Sequence, residues 1–299
     1  MCGIVGLFLK TEQHRSELGR LTEMMLMEMR DRGPDSAGFA VYDDPVGDRT
    51  RLTVLAEGVE ADWAAIGGAL DAALGATTEA RPIEDHCVLE TTAEGRAARQ
   101  WLIDNHRELD VLAYGSRIEL FKSVGDPALV AERYDLASRT GTHAIAHTRM
   151  ATESAITTSG SHPFATGKDT CLVHNGSLSN HNQLRLQLEQ HGETFQTEND
   201  SEVAAGYLAW RLREGDSIEM ALKGGLRDLD GFYTFAIGVE KGFAILRDPI
   251  ACKPAVVAET DHWVAMSSEY RAIARLPGVA DAEVFEPAPG QIYSWELDA

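Results

Sequence analysis

The chain has 299 residues, 44% hydrophobic and 25% charged, a composition that suits one large domain with an insertion, or two domains. Its formal net charge of −20 argues against nucleic acid and anionic membranes as partners. No run of about 18 apolar residues offers a membrane span. The opening MCGIVGLFLK lacks the basic start and cleavage site of a signal peptide, so a cytoplasmic protein is expected.

In chain order, Cys2 to Leu9 is apolar and β-branched and predicts a buried strand. Leu18, Leu21, Met25 and Met29 recur at helical spacing, with the methionines as core filler, and Asp31-Arg32-Gly33-Pro34-Asp35 ends that helix. Phe39 to Tyr42 predicts a strand. The stretch from Asp43 to Ala113 has a pattern of its own. It predicts a strand (52–56), a helix (61–74), a strand (83–90), a helix (95–108) and a strand (111–114), a small inserted α/β unit. Strands resume at 118–122 and 141–149. Thr170 to His174 predicts a strand ending in Asn175-Gly176, Leu184 and Leu188 a short helix, and Asp200 the N-cap of a helix carrying Val203, Tyr207 and Trp210. Ile218, Leu222 and Leu226 mark another helix. Strands at 232–239 and 243–246 are joined by Glu240-Lys241-Gly242, and strands at 263–267 and 291–295 close the series. Many antiparallel-compatible strands with grouped helices fit an α+β fold, with a four-layer αββα sandwich as one candidate.

The four cysteines, Cys2, Cys87, Cys171 and Cys252, form no C-x-x-C pair, so neither a zinc site nor a disulfide framework is expected. Cys87, Cys171 and Cys252 sit in apolar surroundings and are expected to be inert buried thiols. Cys2 differs by position. Removal of Met1 would free its α-amine, which has an ordinary pKa of about 8 and can act as base for the thiol of the same residue. Gly3 removes side-chain bulk beside it. Polar residues cluster in a turn that ends a helix (Arg32–Gly38), at strand ends (His147–Thr152 and His174–Gly176), at a helix start (Asp200–Glu202) and after a hairpin (Arg247–Pro249). Together they can serve one substrate. Arg149 can clamp the α-carboxylate of glutamine in a bidentate pair and Asp200 can take its ammonium. The Asn175 side chain and the Gly176 N–H can form an oxyanion hole. The same residues also have structural readings, as a surface ion pair, a helix cap and a hairpin turn, with His147, His162 and His174 as core histidines.

The segments CGIVG (2–6), RGPDSAG (32–38), HTRMAT (147–152), SHPF (161–164), HNG (174–176), NDSE (199–202), RDP (247–249), KP (253–254), SSE (267–269) and PG (289–290) occur in the order seen in a known family. The chain resembles the class II glutamine amidotransferases, the Ntn-hydrolase glutaminase domains. The resemblance implies an αββα sandwich over residues 2–299, interrupted by the unit at 43–113. It also implies Cys2 as nucleophile, Asn175 and Gly176 as oxyanion hole, and Arg149, Thr152, His162 and Asp200 as glutamine binders. The chain stops soon after Pro289-Gly290, so a synthase domain is expected on another chain. In overall look it is similar to the small amidotransferase subunit of N-methylglutamate synthase and of split glutamate synthases. That likeness implies a hetero-oligomer, no cofactor in this chain, and FMN and an iron–sulfur cluster on partner subunits. A catalytically silent regulatory subunit and another cysteine-type Ntn amidohydrolase are the alternatives.

Overall fold

Residues 3–9, GIVGLFL, form strand β1 (Gly3–Leu9), and every one of them is buried. Successive side chains of a strand point to opposite faces. Ile4 and Phe8 therefore enter one apolar layer, and Val5, Leu7 and Leu9 enter another. A strand apolar on both faces must be covered on both, and this one sits inside a stack of layers.

The computed structural model describes residues 2–151 and 156–297. After β1 come α1 (Leu18–Glu28), β2 (Ser36–Tyr42), β3 (Thr50–Leu55), α2 (Trp63–Leu74), β4 (Thr78–Ile83), β5 (His86–Thr91), α3 (Gly95–Asn105) and β6 (Asp110–Gly115). Then follow β7 (Ile118–Val124), α4 (Pro127–Arg133), β8 (His143–Arg149), β9 (Phe164–Gly167), β10 (Thr170–Leu178), α5 (His181–Gln190), α6 (Asp200–Arg213) and α7 (Ile218–Asp228). The chain finishes with β11 (Gly231–Val239), β12 (Gly242–Arg247), β13 (Val256–Glu259), β14 (Trp263–Ser267), α8 (Tyr270–Ile273), β15 (Glu283–Phe285) and β16 (Ile292–Glu296).

One sheet has the order β15-β13-β14-β1-β8-β2-β7 and a second has β16-β12-β11-β10-β9. Ile4, Phe8, Tyr42 and Ile145 of the first meet Cys171, Val173, Ala236 and Phe243 of the second in the central core. Leu21, Met25 and Met29 of the α1 region cover the outer face of the first sheet. Val203, Tyr207 and Leu222 of α6 and α7 cover the outer face of the second, against Leu172, Phe235 and Ile237. The result is a four-layer αββα sandwich. No helix among the described residues is long and apolar enough to cross a membrane.

Between β2 and β7 lies a third sheet, β4-β5-β3-β6, with α2 and α3 and a core of Leu52, Val54, Leu70, Leu89, Leu102 and Val111. The strand expected at 83–90 is β5, starting at His86, while Ile83 ends the preceding strand β4. Glu84 takes a left-handed φ of 55° and turns the chain between them. The edge strand β4, TEARPI, is largely exposed and has no alternating apolar pattern to reveal it. The unit reaches to Gly115, two residues past its expected end, and is fastened there by Asp169. That carboxylate accepts from the backbone N–H groups of Ser116, Arg117 and Ile118, at 2.8 to 3.1 Å.

Three other expectations change. Residues 174–176 lie inside β10, where Asn175 pairs with Thr234 and Gly176 with Tyr233, so they end no strand and form no hairpin turn. The N-cap of α6 is Asn199, whose side chain accepts from Ser201 N, and Asp200 is the first helical residue. Cys87 and Cys171 are buried but Cys252 is exposed, because it lies in the irregular segment that follows β12.

Candidate active site

The start of β1, in the middle of the first sheet, brings Cys2 beside Arg149, since β1 pairs antiparallel with β8 and Gly3 stands opposite Thr148. The second sheet brings Asn175 to the same place. Its Nδ2 donates to the Cys2 carbonyl at 3.1 Å and to Ser268 Oγ at 3.3 Å, and its Oδ1 accepts from His147 Nε2 at 3.0 Å. Arg32 Nε donates to the same Cys2 carbonyl at 3.1 Å, and Arg32 is itself paired with Glu269. The peptide after the nucleophile is thus gripped by the second sheet and by the turn that precedes β2. The thiol accepts from Met150 N at 3.4 Å.

These groups line a cavity of about 300 Å³, together with His162, His174, Gly176, Ser201, Lys253 and Pro254. That volume is at the small end of the range for small-molecule sites. Gly176 has φ +151°, and a Cβ there would lie 2.0 Å from Phe232 O, so no side chain fits. Gly3 has a different reason from the one expected. A Cβ there would lie 2.8 Å from both Met29 Cβ and Thr148 Oγ1, so the glycine admits the end of the α1 layer rather than substrate.

Arg149 is 8% exposed, and its Nη1 donates to Gly160 O at 3.2 Å. The 157–161 turn that carries this carbonyl is held from several directions. Gly160 O also accepts from Asn199 Nδ2 at 3.2 Å. Lys122 Nζ donates to Ser159 O and Ser161 O at 2.8 Å each. Burial pushes Lys122 down to about 8, against the pull of Glu202 and Asp110. Two residues of the inserted unit grip the turn as well. Glu57 Oε1 accepts from Thr158 Oγ1 at 2.6 Å, and Asp110 accepts from Ser159 Oγ.

His162 and His174 both contact Ser201 Oγ, at 2.9 and 2.8 Å, and Ser201 Oγ reaches Asp200 Oδ1 at 3.3 Å. One hydroxyl hydrogen cannot serve three acceptors. All three contacts are met when both imidazoles donate and the hydroxyl donates to the carboxylate. Burial lowers His147 to about 3 and His174 to about 4, the latter against the pull of Asp200. Burial, then the neighbouring His147 and His174, holds His162 well below its usual value. All three rings are neutral at neutral pH, so none can form an ion pair with a substrate carboxylate there.

Among the expected site residues, Cys2, Arg149, His162, Asn175 and Gly176 therefore share one cavity. Asp200 stands behind Ser201, with Oδ2 accepting from Leu178 N at 2.8 Å. Thr152 lies outside the described residues.

A family model described as a glutamine amidotransferase domain matches residues 147–275. The chain is 47% identical over 297 residues to the glutamine amidotransferase-like protein GlxB of Rhizobium meliloti (strain 1021), covering 99% of this chain and 98% of that one. It is 32% identical over 313 residues to a protein of Methanothermobacter thermautotrophicus provisionally assigned as a glutamine amidotransferase, covering 98% and 99%. The chain belongs to the glutamine amidotransferase family. The fold of this amidotransferase agrees with that of the glutamine phosphoribosylpyrophosphate amidotransferase from B. subtilis, with a TM-score of 0.61 at 21% identity. The alignment takes in 99% of this chain but only 47% of that one, so this chain spans about half the length of that solved enzyme. The fold they share is the four-layer αββα sandwich.

In the amidotransferase two motif serines support the site: Ser201 of NDSE lines the pocket, and Ser268 of SSE, behind it, accepts from Ile4 N at 2.9 Å as well as from Asn175. Both motifs were visible in the sequence, but their partners lie across the sheets. The RDP motif acts at a distance from the thiol. Arg247 donates to the carbonyls of Ala251, Lys253 and Pro287, and Asp248 accepts from Tyr233 N and Ile250 N. These bonds fix the loop that presents Lys253 and Pro254 to the pocket.

Proposed function

We propose that this chain hydrolyses L-glutamine to glutamate and ammonia with Cys2 as an N-terminal nucleophile, and hands the ammonia to a partner synthase subunit. The observation that carries the reading is the Cys2 thiol in one small cavity with Arg149, Asn175 and Gly176. Removal of Met1 frees the α-amine that serves as base. As Sγ bonds to the amide carbon of glutamine, the thiol proton passes to this amine, and the amide oxygen becomes an oxyanion. The Gly176 N–H and one Asn175 Nδ2 hydrogen, released from the Cys2 carbonyl, receive that charge. Collapse expels ammonia with the proton held on the amine and leaves a thioester. Water adds to the thioester, and glutamate departs as the thiol is restored.

Arg149 takes the α-carboxylate. Asp200 takes the α-ammonium with Oδ1, which also accepts from the Ser201 hydroxyl, while Oδ2 accepts from Leu178 N. Thr152 and neutral His162 complete the pocket. Ammonia is mostly protonated in neutral water and is lost there, so direct transfer to an acceptor site favours a complex. The partner is of the glutamate synthase or N-methylglutamate synthase type, with FMN and an iron–sulfur cluster on its own chains. The inserted unit is the docking element.

The test follows glutamate and ammonia released from glutamine by the wild type and by Cys2→Ala. Loss of both products in a folded variant supports the reading. Retention of activity sinks it.

A further inference from the structure

A second cavity, of about 490 Å³, opens where α3 and β6 of the inserted unit face β9 and α6 of the sandwich. It shares no lining residue with the pocket around Cys2. Arg99 of α3 lines it and is only 7% exposed. The polar contacts of this guanidinium are Thr194 Oγ1 at 2.8 Å and Thr194 O at 3.5 Å, and no carboxylate lies within ion-pair distance among the described residues. Glu202 and Glu193 act on Arg99 only from beyond contact distance, and a buried guanidinium with no direct ion pair is costly, so an anion in the cavity would complete it. Thr166 gives independent support. It lines the same cavity at 5% exposure, and its hydroxyl has no hydrogen-bond partner among the described residues.

The other charges of the lining divide by position. Glu193 is paired with Arg213, Asp216 with Arg211, and Glu94 accepts the first N–H groups of α3 from Arg96 and Ala97. Arg96, whose guanidinium donates to the Gly192 carbonyl, and Lys168, in the β9–β10 turn, add positive charge beside Arg99. The remaining acids, Glu240 and Glu296, belong to the β11–β12 turn and to β16, which is the edge strand opposite β9. Between the two ends the wall is apolar, with Tyr114, Ala209 and Ile218.

We infer that this seam binds a small organic anion. A carboxylate or phosphate group sits on Arg99, Arg96, Lys168 and the Thr166 hydroxyl, and an apolar body lies along Tyr114, Ala209 and Ile218. The occupant bridges the inserted unit and the sandwich.

Titration calorimetry of the full chain at low ionic strength, with phenyl phosphate and phenylacetate as probes, tests this. Saturable binding of at least one probe is expected with Kd near or below about 1 mM. Preference between the probes tells a phosphate ligand from a carboxylate ligand. Arg99→Met should weaken binding by about tenfold or more, as loss of a charge-assisted pair requires. Thr166→Val and Lys168→Ala should each weaken it severalfold, which keeps the test open if Arg99→Met does not fold. Lys168→Ala should leave glutamine turnover unchanged. Absence of saturation by either probe up to about 10 mM overturns the site, as does binding that is indifferent to all folded variants.

Discussion

The Glu57 carboxylate accepts a 2.6 Å hydrogen bond from the Thr158 hydroxyl, and so joins the inserted unit to the turn whose Gly160 carbonyl holds the Arg149 guanidinium. Asp110 takes the neighbouring Ser159 hydroxyl in the same way. The insertion therefore reaches the proposed glutamine clamp through one intervening turn. Glu57→Ala and Asp110→Ala should raise KM for glutamine, each by roughly threefold to tenfold, the effect of one lost hydrogen bond on a binding group. Values of kcat should stay within about twofold, because Arg149 meets the carboxylate in ground and transition states alike. Steady-state kinetics separates the two constants. A fall in kcat at unchanged KM would show that the turn serves the chemistry instead.

The cysteines can be told apart by reagent. Burial pushes the Cys87 thiol up to about 12 and that of Cys171 higher still, so both should resist alkylation in the folded chain. Cys252 is exposed and should react with a general thiol reagent. A glutamine-like diazo-ketone should label Cys2 alone, since only that thiol lies in the cavity with Arg149 and Asn175. Peptide mapping after labelling decides. Diazo-ketone on Cys252, with Cys2 untouched, would refute the proposed nucleophile.

Arg149→Ala and Asn175→Ala should fail in different ways. The first removes a charge pair made to bound glutamine and should mainly raise KM. The second removes a donor to the developing oxyanion and should lower kcat by about a hundredfold or more. Asn175 also holds the Cys2 carbonyl and accepts from His147, so the Asn175→Asp variant is a useful companion. It keeps the acceptor for His147 but loses both Nδ2 hydrogens. If both alanine variants shift KM and kcat equally and slightly, these roles are misassigned.

Much of this site was legible because its residues cluster in short segments beside strands whose apolar runs predict burial. Cys2-Gly3, Arg149 and Asn175-Gly176 are of that kind. The connections between them were not legible. Ser268 lies 93 residues from Asn175, and Arg32 is 237 residues from Glu269. Only sheet pairing brings such residues together. The edge strand β4 escaped notice because exposure removes the alternation that marks a strand. Helix α4 escaped because a seven-residue helix shows too few turns of apolar repeat, although Asp126 caps it and Pro127 opens it. The irregular path after β12 hid the exposure of Cys252.

Four histidines should make the fold acid-sensitive. Burial lowers His143 and His147 to about 3 and His174 to about 4, and holds His162 well below its usual value. In the unfolded chain each titrates near about 6.5. Above that pH both states are neutral and stability is complete. As pH falls below it, the unfolded chain binds protons that the folded chain refuses, so stability drops until the folded values are reached. The urea midpoint should therefore decline steadily from pH 7 to pH 5. The imidazole NMR signals of these four residues should not titrate over the same interval in the folded protein. Titration of any of them near pH 6.5 would contradict its burial as a neutral ring.

The docking proposal for the inserted unit needs a test that spares Glu57 and Asp110. Deleting residues 43–113 would remove both and disturb the Arg149 turn, so a lost complex and a damaged site would look alike. Helix α2 allows a cleaner experiment. It buries Ile66, Gly67 and Leu70 against its own sheet, while Ala65, Ala69 and Ala72 are exposed on the other side. Ala65→Glu, Ala69→Lys and Ala72→Glu together place long charged side chains on that outer face without touching the core. Exposed helix substitutions of this kind cost little stability, about 0.5 kcal/mol each or less. The triple variant should keep the KM and kcat of the isolated chain for glutamine. It should lose co-purification with its native synthase partners, along with coupling of glutamine hydrolysis to product formation. If the variant still assembles and still couples, the outer face of α2 is not the docking surface, and the role of the insertion narrows to the support it gives the 157–161 turn.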